Sequence, residues 1–346
     1  MDKEKTKQLH KAVQPFAKSN KAKSIFQIIN TIVPLIGLWV FAYMIADTTI
    51  WGAIGVSVIA SFFVVRTFII FHDCTHGSFF KNKKANAIVG TIAGVLTMFG
   101  YSKWRIEHLL HHSSSSNLDH RGVGDIWMMT VEEYTEASKW KRLGYRLYRN
   151  PLVMFGFGPL YLVLVANRKN RKAAKRNERL NTYIINATLV IGYGVVIYFM
   201  GVSAFLAVTG VSMYIAGALG VWLFYIQHTF EDSYFEENSE WSYVKAAVEG
   251  SSYYKLPAVL QWLTGNIGFH HVHHLAPRIP NYELEQAHEK TPPLQHATTI
   301  TLKLSIESLK YKLYDTENYN FITFKQLPKA VRKTSAKPIL PIKKVI

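Results

Sequence analysis

Four almost uncharged runs constrain this chain more than any other feature. Residues 24–46, 183–200 and 203–226 contain no Asp, Glu, Lys or Arg, and residues 51–71 contain only Arg66. Runs of about 20 apolar residues match the ~30 Å hydrocarbon core of a bilayer. Inside lipid every backbone N–H and C=O needs an internal partner, so such runs form helices. Residues 47–50 and 201–202 can do little more than reverse the chain, so the runs pair as two tight hairpins. Pro34 falls inside the first run, where neighbouring helices can tolerate a kink. Trp51 opens the second run at interfacial depth, and Arg66 is expected to snorkel from its inner end.

Charge sorts the remainder. Residues 1–23 carry seven lysines against Asp2 and Glu4, and residues 168–179 carry seven Lys or Arg. The net charge is +17 in a chain that is 49% hydrophobic, a pairing that disfavours a soluble enzyme. Basic flanks beside apolar runs mark the cytoplasmic side and face an anionic leaflet. No groove-reading motif accompanies the charge, so no nucleic acid partner is expected. The single cysteine, Cys74, excludes an intrachain disulfide framework. The charged N-terminus lacks the apolar core of a signal peptide.

Residues 86–101 and 151–166 are apolar but short and Gly-containing, and are expected to dip into the interface instead of crossing. The alternative is six spans, which would carry one histidine cluster across the bilayer from the others. The expected fold is therefore an all-α integral membrane protein with four transmembrane helices in two hairpins and a cytoplasmic helical cap. Its parts are a basic cytoplasmic N-terminus (1–23), the first hairpin (24–71), a cytoplasmic or interfacial region (72–182), the second hairpin (183–226), a cytoplasmic region (227–325) and a loose basic tail (326–346). Leu302, Ile306, Leu309 and Leu313 recur at helical spacing and predict one packing helix.

The histidines fall where these spans end. His270, His273 and His274 stand at i, i+3 and i+4, directly behind a turn-prone Gly/Asn segment, and share one helix face. His108, His111 and His112 repeat that spacing, and His72 and His76 form an i, i+4 pair. His271 points about a quarter-turn away from its neighbours and is not expected to be a ligand. His228, at the inner end of the last run, is a ninth candidate. A site of one metal uses about four ligands, so eight or nine imidazoles suggest two ions. Imidazole alone suits iron, zinc, copper or nickel. Cys74, between two candidate ligands, is expected to pack. Asp73, Asp119, Asp125, Glu231 and Asp232 lie near enough in sequence to orient the rings, and Glu231 and Asp232 are the foremost because they follow His228.

In this order, between paired hairpins, His72-Asp73-Cys74-Thr75-His76, His108-Leu109-Leu110-His111-His112 and His270-His271-Val272-His273-His274 resemble the three histidine boxes of the membrane fatty-acid desaturases. The resemblance runs from about residue 24 to about residue 315. Ser116-Asn117-Leu118-Asp119, Gly124-Asp125-Ile126-Trp127, Gln227-His228-Thr229-Phe230-Glu231-Asp232 and residues 265–282 are similar to the Bacillus-type acyl-lipid (phospholipid) delta-5 group. Three residues between His72 and His76 resemble acyl-lipid members; the CoA-linked members usually have four. Phe224 stands where those members have an Asn four residues before the extra histidine.

The resemblance implies a non-haem di-iron centre, two Fe ions held by His72, His76, His108, His111, His112, His228, His270, His273 and His274. It implies O2-dependent removal of two hydrogens from an acyl chain of a membrane phospholipid, giving a cis double bond, in a bacterial plasma membrane. The catalytic side and both termini would be cytoplasmic. The sequence carries no convincing flavin or nicotinamide fingerprint and no His-Pro-Gly-Gly haem motif. Electrons would then come from a separate protein, by family analogy ferredoxin or flavodoxin. Two alternatives stay open. A sister acyl hydroxylase or carotenoid oxidase shares the boxes and differs only in product. A histidine-rich metal transporter would instead place ligands near mid-membrane.

Overall fold

The computed structural model describes residues 3–122, 124–329 and 331. Its frame is four long helices: Lys21–Ala46, Ile50–His76, Arg176–Met200 and Val202–His228. Local chemistry sets their ends. Asn20 Oδ1 accepts from Lys23 N at 3.2 Å, and Thr49 Oγ1 accepts from Gly52 N at 3.2 Å, each capping otherwise unpaired amides. Gly77, at φ +69°, stops the second span one residue after His76 in the left-handed conformation that a helix C-terminus favours. Gly201 separates the third and fourth spans. Pro34 lies inside a helix that continues unbroken to Ala46.

The second and fourth spans form the interior of the bundle. Their apolar windows are 56% and 39% buried, against 17% and 11% for the first and third, which turn side chains such as Phe26, Val40, Val190 and Phe199 outward. Those outward faces suit lipid. Where the first, second and fourth spans meet, the contact is built from small residues, Ala42, Ala46, Ala53 and Ala204, with Val208. Tyr43 Oη and Thr209 Oγ1 lie 2.7 Å apart, and Trp39 Nε1 donates to Ser212 Oγ at 3.2 Å. Small residues let helices approach, and polar side chains bond across them where no water competes.

Arg66 departs from the snorkelling expectation. It is buried, donates Nε to Thr31 Oγ1 at 3.0 Å and Nη1 to the Trp262 carbonyl, and sits 4.0 Å from the centre of the Trp262 ring. The helix Ala258–Leu263 packs against this face of the second span and supplies a carbonyl and a π-face, so the guanidinium turns inward.

Each of the two short apolar segments belongs to a sharply bent pair of helices. Lys83–Leu96 and Tyr101–Ser114 are bent by 99°, and Lys139–Tyr148 and Val153–Arg168 by 66°. At the first bend Met98 takes φ +65°, and a Cβ on Gly94 would come within 2.5 Å of the Phe99 carbonyl oxygen. The second helix of the first pair thereby lies across the end of the bundle with the second histidine box.

The cap over this end is helical with five short strands. Met129–Thr130, Leu313–Asp315 and Asn320–Ile322 form one small sheet, and Tyr253–Tyr254 pairs with Thr299–Ile300 in another. The helix predicted through Leu313 stops at Ser308. Ile306 is exposed, while Leu313 is buried with Met129 and Tyr145 and pairs through its backbone. Tertiary pairing there overrides the helical spacing. The N-terminal helix Lys3–Val13 buries Leu9 and Val13 against Val272, Leu275 and Leu284, beneath the third box. Most of the basic tail expected at 326–346 lies outside the described residues.

Candidate metal centre

His72 and His76 occupy the last turns of the second span, and His228 is the last residue of the fourth. Both even-numbered spans end on the same side, so their histidines meet there. The helix Tyr101–Ser114 brings His108, His111 and His112, and the short helix His270–Leu275 brings His270, His273 and His274. Val272 and Leu275 on the opposite face of that helix are buried, which turns the ligand face inward.

All nine predicted histidines come together, in two groups. His72, His76, His108, His112 and His273 each place a ring nitrogen within 4.8 Å of the others, and so do His111, His228, His270 and His274. The i, i+3, i+4 triplets are shared out: His108 and His112 join one group and His111 the other, while His273 parts from His270 and His274. The second and third box helices therefore each lie between the two groups, while the first box serves one of them. His271 stays outside both, with Nε2 3.0 Å from His288 Nδ1. Cys74 is fully buried against Ile70 and Phe79 and packs, as expected.

The ring nitrogens crowd one another. Nε2–Nε2 separations are 2.9 Å for His72–His108 and 3.0 Å for His108–His112, His112–His273, His228–His270 and His270–His274. Several tautomers are fixed from the far side of the ring. His72 Nδ1 is 3.2 Å from Asp73 Oδ1, His111 Nδ1 is 2.6 Å from Asp125 Oδ1, and His228 Nδ1 is 3.3 Å from the Gly250 carbonyl. Donation at Nδ1 leaves Nε2 as a lone pair. His76 Nε2 and His111 Nε2 are buried without any hydrogen-bond partner. Burial holds His270, His273 and His274 well below the ordinary imidazole range, so they are neutral at pH 7. Where two facing Nε2 atoms both carry lone pairs they repel, and either a shared proton or a cation between them relieves this. A purely imidazole donor set, without thiolate or carboxylate, fits transition metals and not calcium or magnesium.

The carboxylates that orient these rings are Asp73 and Asp125, which corrects the sequence ranking. Glu231 instead accepts from Tyr311 Oη at 2.8 Å, and Asp119 accepts from Asn238 N at 2.8 Å. Asp232 is exposed. Asp73 is 1% exposed, and its Oδ2 accepts from Asn281 N at 2.7 Å and Asn281 Nδ2 at 2.8 Å. Gln27 on the first span donates to Asn281 Oδ1 at 2.9 Å. A polar chain thus runs from the first span through Asn281 and Asp73 to His72. Sequence reasoning missed Asn281 and Gln27, because their partners lie more than 200 positions away. Asp125 reaches His111 because Gly122 and Gly124 adopt φ +106° and +74°, which lets the loop press against the box-two helix. Ala at position 125 is expected to lower metal affinity or activity by about 10–100-fold. Metal retained during stepwise chelation of the purified variant checks this.

Aromatic rings fix the rest. Trp104 stacks on His108 at 4.1 Å and 23°. Phe224 packs against His111 and His228, at 5.1 and 5.2 Å between ring centres. These contacts restrict rotation of the imidazoles and shield them from water.

Fold and site together define a helical membrane protein whose histidine clusters can hold metal at one end of its spans. Comparison with known proteins gives the family. Residues 48–302 match the fatty acid desaturase family model. The chain is 53% identical over 323 residues to a fatty acid desaturase of Bacillus subtilis, covering 93% of this chain and 92% of that protein. It is 29% identical to a chloroplastic omega-6 fatty acid desaturase of Arabidopsis thaliana, covering 64% of this chain and 49% of that one. It is 27% identical to a Synechocystis sn-1 oleoyl-lipid 12-desaturase, covering 76% of each. The chain belongs to the fatty acid desaturase family and is an oxidoreductase.

Proposed function

We propose that this enzyme is an O2-dependent acyl-lipid desaturase that places a cis double bond at the delta-5 position of saturated chains in membrane phospholipids. The observation that carries the reading is the meeting of nine imidazoles, from four separate helices, in two adjoining groups at the span ends. Similarity to lipid-linked relatives supports an esterified substrate. The groups hold two iron ions, His72, His76, His108, His112 and His273 at one and His111, His228, His270 and His274 at the other. Bound there, iron supplies the O2-activating redox chemistry. In the overall balance the acyl chain loses two hydrogens, a donor gives two electrons, two protons are taken up, and O2 leaves as two waters.

The chain's own residues do the remaining work. Asp73, Asp125 and the Gly250 carbonyl hold the ring tautomers that expose Nε2. Trp104 and Phe224 keep water from the rings, and the bundle presents the site at the lipid boundary, where an acyl chain can enter without leaving an apolar setting. Ferredoxin or flavodoxin delivers the electrons, and the chain's charge of +17 favours an acidic donor. The seven-lysine N-terminus and the basic 168–179 segment support a position of the boxes on the cytoplasmic face of a bacterial plasma membrane.

The test is expression in a bacterium that lacks desaturases, with gas chromatography of its lipids and mapping of any double bond. The expected result is a new monoene, cis at carbon 5. Unchanged acyl chains beside inserted, iron-loaded protein would overturn the reading, and a hydroxylated chain would assign a sister oxidase.

A further inference from the structure

Resting on the reading above, we propose that Arg149 binds the carbonyl oxygen of the acyl ester and so sets the distance from the carboxyl end to the metal centre. Arg149 follows the helix Lys139–Tyr148 and is 1% exposed. Other guanidinium groups near acids are neutralised: Arg121 makes a two-pronged pair with Glu133, and Arg171 does the same with Glu178. Among the described residues no carboxylate pairs with Arg149. Its Nη2 donates to the Tyr311 carbonyl at 3.0 Å and to Tyr225 Oη at 3.3 Å, and its Nη1 lies 3.5 Å from the Trp127 carbonyl. Its Nε is buried with no partner. A buried cation with neither a counter-ion nor a full set of acceptors is costly unless something else supplies an oxygen.

The surroundings say what that oxygen belongs to. Arg149 lines a cavity of about 40 Å³ whose other walls include His111 and His228 of the second histidine group, with Ile126 and Phe224. Arg149 and two of the candidate metal ligands therefore line the same small space. That space is of a size for a carbonyl and a few carbons. Asp125 also lines it, with Oδ1 directed to His111 and Oδ2 accepting from Gly122 N at 3.2 Å. A carboxylate on the same wall disfavours a full anion and tolerates a neutral ester. One small cavity between ester and metal places the reacting carbons near the carboxyl end, as a delta-5 product requires.

Two experiments test this. In the desaturase-free host, Arg149→Gln is expected to cut product about tenfold or more, or to spread the double bond over neighbouring positions, with iron content unchanged. Arg149→Lys, which keeps the charge, should retain more activity and the original position. Wild-type amount and position from Arg149→Gln would overturn the proposal. Absence of product from the wild type itself would instead remove the desaturase reading. The second experiment needs no variant to fold. Purified wild-type enzyme is loaded with a fluorescent acyl-ester lipid, which is displaced by an ester-linked phospholipid, its ether analogue or a neutral diacylglycerol. The proposal expects the ester phospholipid and diacylglycerol to compete alike and the ether analogue about tenfold more weakly. Equal competition by ester and ether overturns it, and so does failure of diacylglycerol beside success of the ether phospholipid, which would make phosphate the anchor.

Discussion

Replacing His273 by Ala is expected to abolish the unsaturated product while leaving membrane insertion intact. His273 is fully buried and faces four partners in the five-histidine group, with its Nε2 3.0 Å from His112 Nε2. It is also the only residue of the third box in that group. Its loss would remove a proposed metal ligand and the contact by which the box-three helix reaches the five-histidine group. The spans do not depend on it, because their contacts are made by residues such as Ala42, Ala53 and Ala204, along the hairpins. Product analysis and membrane fractionation of one culture check both halves. Retained product would remove His273 from the ligand set.

The second large effect falls on Gly268, two residues before His270. A Cβ there would meet the Tyr254 carbonyl oxygen at 2.4 Å and the Gln261 side-chain amide at 2.8 and 3.0 Å. Tyr254 N donates to the Gly268 carbonyl at 2.8 Å, so the two backbones are locked at this approach and neither can retreat cheaply. Gly268→Ala is expected to cost about 1–3 kcal/mol through overpacking. It should also move the third box away from its partners. A lowered thermal midpoint together with reduced metal content would report both consequences. Gly192 is the control, since a Cβ there meets nothing within 4 Å. Gly192→Ala should leave stability and metal unchanged.

Both predictions rest on features with very different visibility in the sequence. The spans were legible because lipid permits one local solution, a helix, and charge marks where each run ends. Eight of the histidines were legible because a helix face brings i, i+3 and i+4 positions together, and His228 because it ends the last apolar run. Their division between two groups was not, since it depends on how four helices cross. Asp125 illustrates the same limit. It lies 14 residues from His111 and reaches it only through a loop with two glycines at positive φ. Glu231, three residues after His228 in the region singled out, turns away to Tyr311. Arg66 looked like a snorkelling residue because its acceptor, the Trp262 carbonyl, is 196 positions distant. Leu302, Ile306, Leu309 and Leu313 keep a helical spacing that strand pairing at Leu313 interrupts. Sequence thus reported whatever one helix or one run decides, and fell silent where a partner comes from elsewhere in the chain.

The central claim is that His72, His76, His108, His112 and His273 bind one ion and His111, His228, His270 and His274 bind another. Metal analysis with Mössbauer spectroscopy of protein purified from cells fed isotopically enriched iron tests it most directly. The account predicts two irons per chain, both with nitrogen-rich non-haem signatures, and loss of iron in His273→Ala. One iron per chain, or two whose spectra and stoichiometry are indifferent to His273→Ala, would contradict it.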